Sequence, residues 1–349
     1  MPISIVVGGQ FGSEGKGKVA CYLAETQRAC AVVRVGGSNS GHTVVDHGGA
    51  RYVFRQLPTA AVLPGVACVI AAGSYIDSEV LLREVDLVRL DPTRLKIDPN
   101  AVLITDNFKA QEEAQNLRGR VGSTLTGTGA AVSARVNRTT EVRFAKDDPR
   151  LAPYVTDTAE FLYRAVNRDE RVVAEGSQGF GLSVIHSPHF PFVTSRDTTA
   201  AGVLSEIGLS PLLVDDIALV IRAFPIRVPG NSGPLPSETS WEAIAERGKF
   251  DVRFSEMTSV TQRERRVAEF DAEIVRAAIR ANSPTKIFLN HVDYADRLAA
   301  EGARLTPSAV ELTLQIQEQL GRKVDYVGLG PSVCEVFAQL SNNNARNFA

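Results

Sequence analysis

The chain has 349 residues, 44% hydrophobic and 22% charged, enough to bury a substantial core as one large α/β domain or two smaller ones. A net charge of −2 gives no overall field for nucleic acid or an anionic membrane, so basic groups must act locally. No apolar run approaches the ~20 residues needed to cross a bilayer, and Cys21, Cys30, Cys68 and Cys334 lack the C-x-x-C spacing of a zinc ribbon, which leaves them as packing residues in a reducing compartment.

The first element, a strand over Ile3–Val7, runs directly into Gly8-Gly9-Gln10-Phe11-Gly12-Ser13-Glu14-Gly15-Lys16-Gly17-Lys18, with no signal-peptide pattern before it. A helix is predicted from Val19 to Ala24, so the glycines occupy a strand-to-helix turn. Gly12, Gly17 and Lys18 fit the G-x-x-x-x-G-K part of the phosphate-loop pattern, in which backbone N–H groups and a helix N-terminus surround phosphates and lysine neutralises them. Position 19 is valine, so the hydroxyl that ordinarily ligates magnesium is absent. That makes the loop a relative or look-alike of ordinary phosphate-loop ATPases.

Further apolar runs follow at Ala31–Val35, Val66–Ala72, Val102–Thr105, Arg171–Ala174, Ile217–Ala223, Lys286–Leu289 and Val324–Val327. Most are continuous rather than alternating, as strands covered on both faces of a mostly parallel sheet should be. Helices alternate with them: one capped at Asp77-Ser78, one opened by Thr156 or Asp157, one over Trp241 to Arg247. The pattern predicts a large wound α/β fold flanked by helices, with ligands at the carboxyl ends of the strands. The Pro- and Gly-rich stretch 227–236 opens an insertion extending to about residue 270 within an otherwise single domain over 1–349.

Unusual chemistry is concentrated in the loops. Gly36 to Thr43 contains Asn39, Gly41 and His42, and an imidazole at a strand end can donate to an oxygen gaining charge. Gly122 to Gly129, with Ser123 and Thr124, reads either as an oxyanion-contacting loop or as a flexible one. Glu175-Gly176-Ser177-Gln178-Gly179 and Phe192-Val193-Thr194-Ser195 follow. Arg263, Arg265 and Arg266, after Thr261, are either a solvated face or a carboxylate-gripping fork. Asn290-His291-Val292-Asp293 resembles the guanine-reading N-K-x-D element, with histidine in place of lysine. His186 and His189 form an H-x-x-H interrupted by Pro188, a poor metal site without a third ligand.

In order, G-x-E-G-K-G-K, G-G-x-N-x-G-H-T, E-G-x-Q-G, F-V-T-S, T-x-R-x-R and N-x-V-D resemble the adenylosuccinate synthetase family across nearly the whole chain. That family is phosphate-loop-related, α/β and homodimeric. It phosphorylates the 6-oxygen of a purine monophosphate from a nucleoside triphosphate with Mg²⁺, then lets L-aspartate displace the phosphate. The resemblance implies that Gly12, Glu14, Gly15, Lys16, Gly17, Lys18, Gly41, His42 and Thr43 serve the triphosphate, with Asn290, Asp293, Gly328, Gly330 and Pro331 around its base. It assigns catalysis to Ser13, Lys16, His42 and Gln178. The monophosphate falls to Ser13, Asn39, Ser123, Thr124, Gln178, Thr194 and Arg263, and to Arg138 reaching across the dimer. Aspartate falls to Thr261, Arg263 and Arg265. Mg²⁺ falls to the Gly41 carbonyl, with Ser13 beside it.

Two departures carry information. The family has aspartate where this chain has Ser13, and serine is not a base near neutral pH. Either catalysis is degraded or the substrate differs. A shorter side chain opens space beside C2 of the purine, where guanine carries an amino group. The replacement resembles the bacteriophage branch, the 2-aminoadenylosuccinate synthetases, which act on dGMP. His291, replacing the lysine that packs along GTP, favours ATP or dATP as donor over GTP. Ordinary synthesis from IMP and GTP is the alternative, and a non-catalytic purine-nucleotide-binding regulator is a third. A cytoplasmic location is expected, the host's if the gene is a phage's, with neither nucleic acid nor membrane as partner.

Overall fold

The structure, a computed structural model, describes residues 2–250, 254–258, 262–302, 304–332 and 336–338. Its frame is a nine-stranded sheet in the order Val336–Ala338, Tyr326–Gly328, Lys286–Asn290, Val214–Arg222, β1 (Ile3–Gly8), Val172–Glu175, β2 (Ala31–Arg34), Ala67–Ile70 and Leu95–Ile97. Neighbours are parallel except for the antiparallel pair made by Val336–Ala338.

Apolar character on both faces of β1 explains its central place. Ile3, Ile5 and Val7 enter one core with Leu162, Val203, Ile274 and Ile316 from helices on that side. Val6 enters the other core, with Val19 and Leu23 of α1 (Lys16–Thr26) and Leu81 of helix Ser78–Leu87. Each such side chain, fully buried, contributes about 1.5–3 kcal/mol of transfer free energy. Helix starts follow the capping residues: Asp77 accepts from the Val80 amide, and Asp157, not Thr156, accepts from that of Glu160. Cys21 and Cys68 are buried free thiols in the second core; Cys334 lies outside the described residues.

The strand expected at Val102–Thr105 is not in the main sheet. Val102–Leu103 pairs with Tyr75–Ile76 in a separate two-stranded sheet, anchored by Val102 N–H donating to Ser74 O (3.0 Å). The main sheet ends instead on Leu95–Ile97, whose three residues include Lys96 and so form no apolar run. Residues 226–268 include a three-stranded antiparallel sheet of Ile226–Arg227, Arg266–Ala268 and Glu238–Thr239, with helix Trp241–Gly248 beside it. The Trp241 indole N–H donates to Arg265 O at 2.7 Å, tying that helix to the arginine strand. Among the described residues no helix is long and apolar enough to cross a membrane.

Candidate active site

A cavity of about 570 Å³ opens at the carboxyl ends of the central strands, where such sheets expose their loops. Helix α1 begins at Lys16, three residues before the predicted start at Val19, so Lys16, Gly17 and Lys18 form its first turn. Gly15 caps it at φ +90°, and a methyl there would lie 2.6 Å from Asn290 Nδ2, so both conformation and space require glycine. Gly12, Ser13, Gly15, Lys16, Gly17 and Lys18 all line the cavity. Glu14 does not. Its carboxylate is buried beneath the loop, accepting from the amides of Gln10 (3.1 Å) and Gly12 (2.9 Å) and from Lys16 Nζ (2.6 Å). It shapes the loop rather than facing a ligand.

Asn39, Gly41, His42 and Thr43 line the cavity as well, with His42 and Thr43 packed against Gly17. His42 donates from Nδ1 to Glu175, and Glu175 also accepts from the Thr59 amide (2.9 Å) and hydroxyl (3.0 Å). Burial and the nearby Arg34 guanidinium push the imidazole down to about 4, against the pull of Glu175. Burial alone would raise the Glu175 carboxyl, but His42 and Arg34 hold it below the usual range. The proton of neutral His42 therefore sits on Nδ1, and Nε2 is bare until a second proton arrives. Glu175 belongs to the E-G-x-Q-G motif, but its pairing with His42 across 133 positions leaves no local signal.

Gln178 and Thr194 also line the cavity, as do Ser123 and Thr124. Part of the 122–129 loop is already committed to an internal carboxylate. The amides of Gly127 (2.9 Å), Gly129 (2.7 Å) and Ala130 (3.3 Å) donate to Glu112, which serves the N-terminus of helix Thr128–Asn137 as an internal anion. The hydroxyls are linked Thr124 to Thr126 (3.4 Å) and Thr126 to Thr128 (3.3 Å) along the cavity wall.

Asn290, Asp293, Gly330 and Pro331 line the far end, whereas Gly328 packs behind them against Asn290 and Lys18. The three arginines divide. Arg265 is buried, lines the cavity and pairs with Glu256 at 3.1 Å; Arg266 pairs with Glu238 at 2.6 Å; Arg263 is exposed off the cavity. Thr261 lies outside the described residues. Arg138 is an exposed helix C-cap, also off the cavity. Among the described residues no group of three or more His, Cys, Asp or Glu could hold a metal. His186 and His189 pack instead against Phe180 and Phe11, respectively.

A charged wall missed by sequence reading completes the site. Fully buried Arg222 bonds Glu256 at 2.6 Å, and Glu256 also accepts from Tyr294 at 3.1 Å. Burial would raise the Glu256 carboxyl, yet Arg222, His291 and Arg265 hold it at about 2. Glu256→Ala would leave the Arg222 charge buried without its partner. We expect a loss of about 3 kcal/mol in urea unfolding, with Glu256→Gln costing less.

The profile of the adenylosuccinate synthetase family matches residues 5–146 and 142–300. The chain belongs to that family. It is therefore a ligase of the adenylosuccinate synthetase type, forming a carbon–nitrogen bond. The chain is 34% identical to the adenylosuccinate synthetase of Archaeoglobus fulgidus over 96% of its own length and 98% of the relative's. It is 35% identical to that of Pyrococcus horikoshii over 95% and 97%. Among solved structures, the cyanophage S-2L succinoaminodeoxyadenylate synthetase bound to dGMP and dATP is similar at TM-score 0.82 and 28% identity, covering 99% of this chain and 98% of that one. The fully ligated adenylosuccinate synthetase of Plasmodium falciparum shares the fold at TM-score 0.82 and 19% identity, with 97% and 100% covered. Similarity to the family thus extends over nearly the whole chain, in sequence and in fold.

Proposed function

We propose that the enzyme joins L-aspartate to C6 of dGMP through a 6-phosphoryl intermediate, giving N6-succino-2-amino-2′-deoxyadenylate, with ATP or dATP as donor. Ser13 on the cavity wall carries this reading: it stands within the phosphate loop, where the family resemblance places aspartate. The cyanophage structure, which holds dGMP and dATP, supports it.

The γ-phosphoryl group of the donor passes to the purine 6-oxygen, and the N1 proton leaves to solvent. The aspartate amine then attacks C6, and phosphate leaves with the oxygen. Lys16, Lys18 and the first-turn amides of α1 stabilise the transferring charge. His42 bonds the 6-oxygen through Nε2 once anionic phosphates draw a second proton onto the ring, while Glu175 holds the first at Nδ1. Gln178 and Thr194 orient the purine monophosphate, with Asn39, Ser123 and Thr124 toward its phosphate. Arg265 takes the aspartate carboxylates, and the family resemblance assigns Thr261 and Arg263 to the same substrate. The exposed place of Arg138 supports a reach to the phosphate held by a second copy. The Gly41 carbonyl, with Ser13 beside it, would hold Mg²⁺, which would supply charge neutralisation on the phosphates while taking most of its ligands from phosphate and water.

Acceptor assays test the reading. With aspartate, ATP and Mg²⁺ present, phosphate release with dGMP should exceed that with IMP by ~10²-fold or more in kcat/KM, the discrimination a tight polar pocket achieves. Turnover of IMP alone would overturn it. Whole-length identity to ordinary synthetases favours the second reading, IMP with GTP, which that outcome together with a preference for GTP over ATP would establish.

A further inference from the structure

The phosphate loop and the loops around the donor base are bonded to each other. Asn290 Nδ2 donates to Glu14 O at 2.8 Å, and Lys18 Nζ donates to Leu329 O at 2.6 Å and Gly330 O at 2.9 Å. His291 Nε2 lies 3.3 Å from Ser13 O, which also accepts from Arg222 Nη1 at 3.1 Å. Two separate elements therefore converge on one carbonyl, that of the residue that departs from the family.

Ser13 needs such support. Its φ of +56° is in the left-handed region, which costs a residue with a side chain roughly 1–2 kcal/mol. Bonds to its carbonyl hold the peptide plane and hence the direction of its side chain. The donors are themselves fixed: Arg222 is gripped by Glu256 and lies over the Tyr294 ring, 5.9 Å from its centroid, and the His291 ring packs 5.3 Å from the same tyrosine. Burial and the Arg222 charge push the His291 imidazole down to about 3, so the ring is neutral at pH 7. Its single N–H then belongs on Nε2, because a carbonyl can only accept.

We propose that Arg222 and His291 clamp the Ser13 carbonyl so that the serine side chain faces the acceptor purine, making His291 a positioning residue for acceptor choice from within the donor-base loop. The clamp rests on the dGMP reading for its substrate but not for its geometry. A substituent far from the reacting atoms matters here because a displacement of about 1 Å can cost ~10²-fold in rate.

The test compares His291→Leu and His291→Gln at saturating donor, with melting temperatures measured alongside. Leucine removes the donor; glutamine returns an amide N–H at similar reach. We expect His291→Leu to raise the acceptor KM and lower the dGMP-to-IMP ratio of kcat/KM by ~10-fold, one lost hydrogen bond, and His291→Gln to restore most of both. A changed donor KM with unaltered acceptor KM and ratio would overturn the clamp. Equal losses in both variants with a lowered melting temperature would also overturn it, since they indicate packing alone. Should wild-type enzyme use IMP and not dGMP, the substrate reading falls, and the clamp is judged on IMP: a KM raised by leucine and restored by glutamine supports it, and a constant KM overturns it.

Discussion

His42→Asn should lower kcat by ~10²–10⁴-fold, the usual worth of a positioned acid, while leaving purine monophosphate affinity nearly unchanged. Asparagine can keep the bond to Glu175 that Nδ1 makes, but it has nothing at the place of Nε2. The substitution therefore separates orientation from proton donation. Single-turnover phosphoryl transfer together with calorimetric binding would check it; a kcat within a few fold of wild type would remove His42 from the chemistry. The same group predicts a titration. In the free protein, burial and Arg34 hold the imidazole at about 4, so it is neutral at pH 7. Bound phosphates add negative charge and must move its titration upward, which NMR of the ring protons with and without triphosphate and acceptor would record.

Ser13→Asp should abolish most dGMP turnover, by ~10²-fold or more, and bring IMP turnover up. The carboxylate restores a base near N1 and refills the space beside C2, where the guanine amino group would sit. Aspartate also tolerates the left-handed backbone of this position better than most residues do, so the fold should survive. Steady-state kinetics with each acceptor decides the matter. Unchanged dGMP activity would take Ser13 out of the specificity argument.

Short-range signals made much of this legible beforehand. The glycine and lysine spacing of the phosphate loop, the histidine at a strand end and the N-x-V-D turn all lie within a few residues, and each was brought to the one cavity. Their neighbours were less readable. Glu14 matched the motif but turned inward, because the loop's own amides and Lys16 provide the partners its burial demands. The arginine run could not be divided in advance into Arg265, buried in the cavity wall beside Glu256, and Arg263, exposed outside it, since 263 and 265 share parity along an extended chain and only Glu256, brought beside Arg265 by the fold, distinguishes them. Likewise, Leu95–Ile97 became the sheet edge and Val102–Leu103 did not, although the latter has the more apolar run, because strand pairing rather than hydropathy selects a neighbour.

By itself the sequence determined the family, the α/β class, the phosphate cradle and the exchange at Ser13, since all of these depend on residue type and local order. Only the tertiary structure decided what holds those residues in working form: Glu175 behind His42, Glu112 on a helix N-terminus, and Arg222 with His291 on the Ser13 carbonyl. The physical reason is that a buried charge or a strained peptide must be satisfied by whatever group the sheet brings beside it. Those groups lie 133, 17, 209 and 278 positions away, respectively, at distances along the chain where no spacing rule reaches.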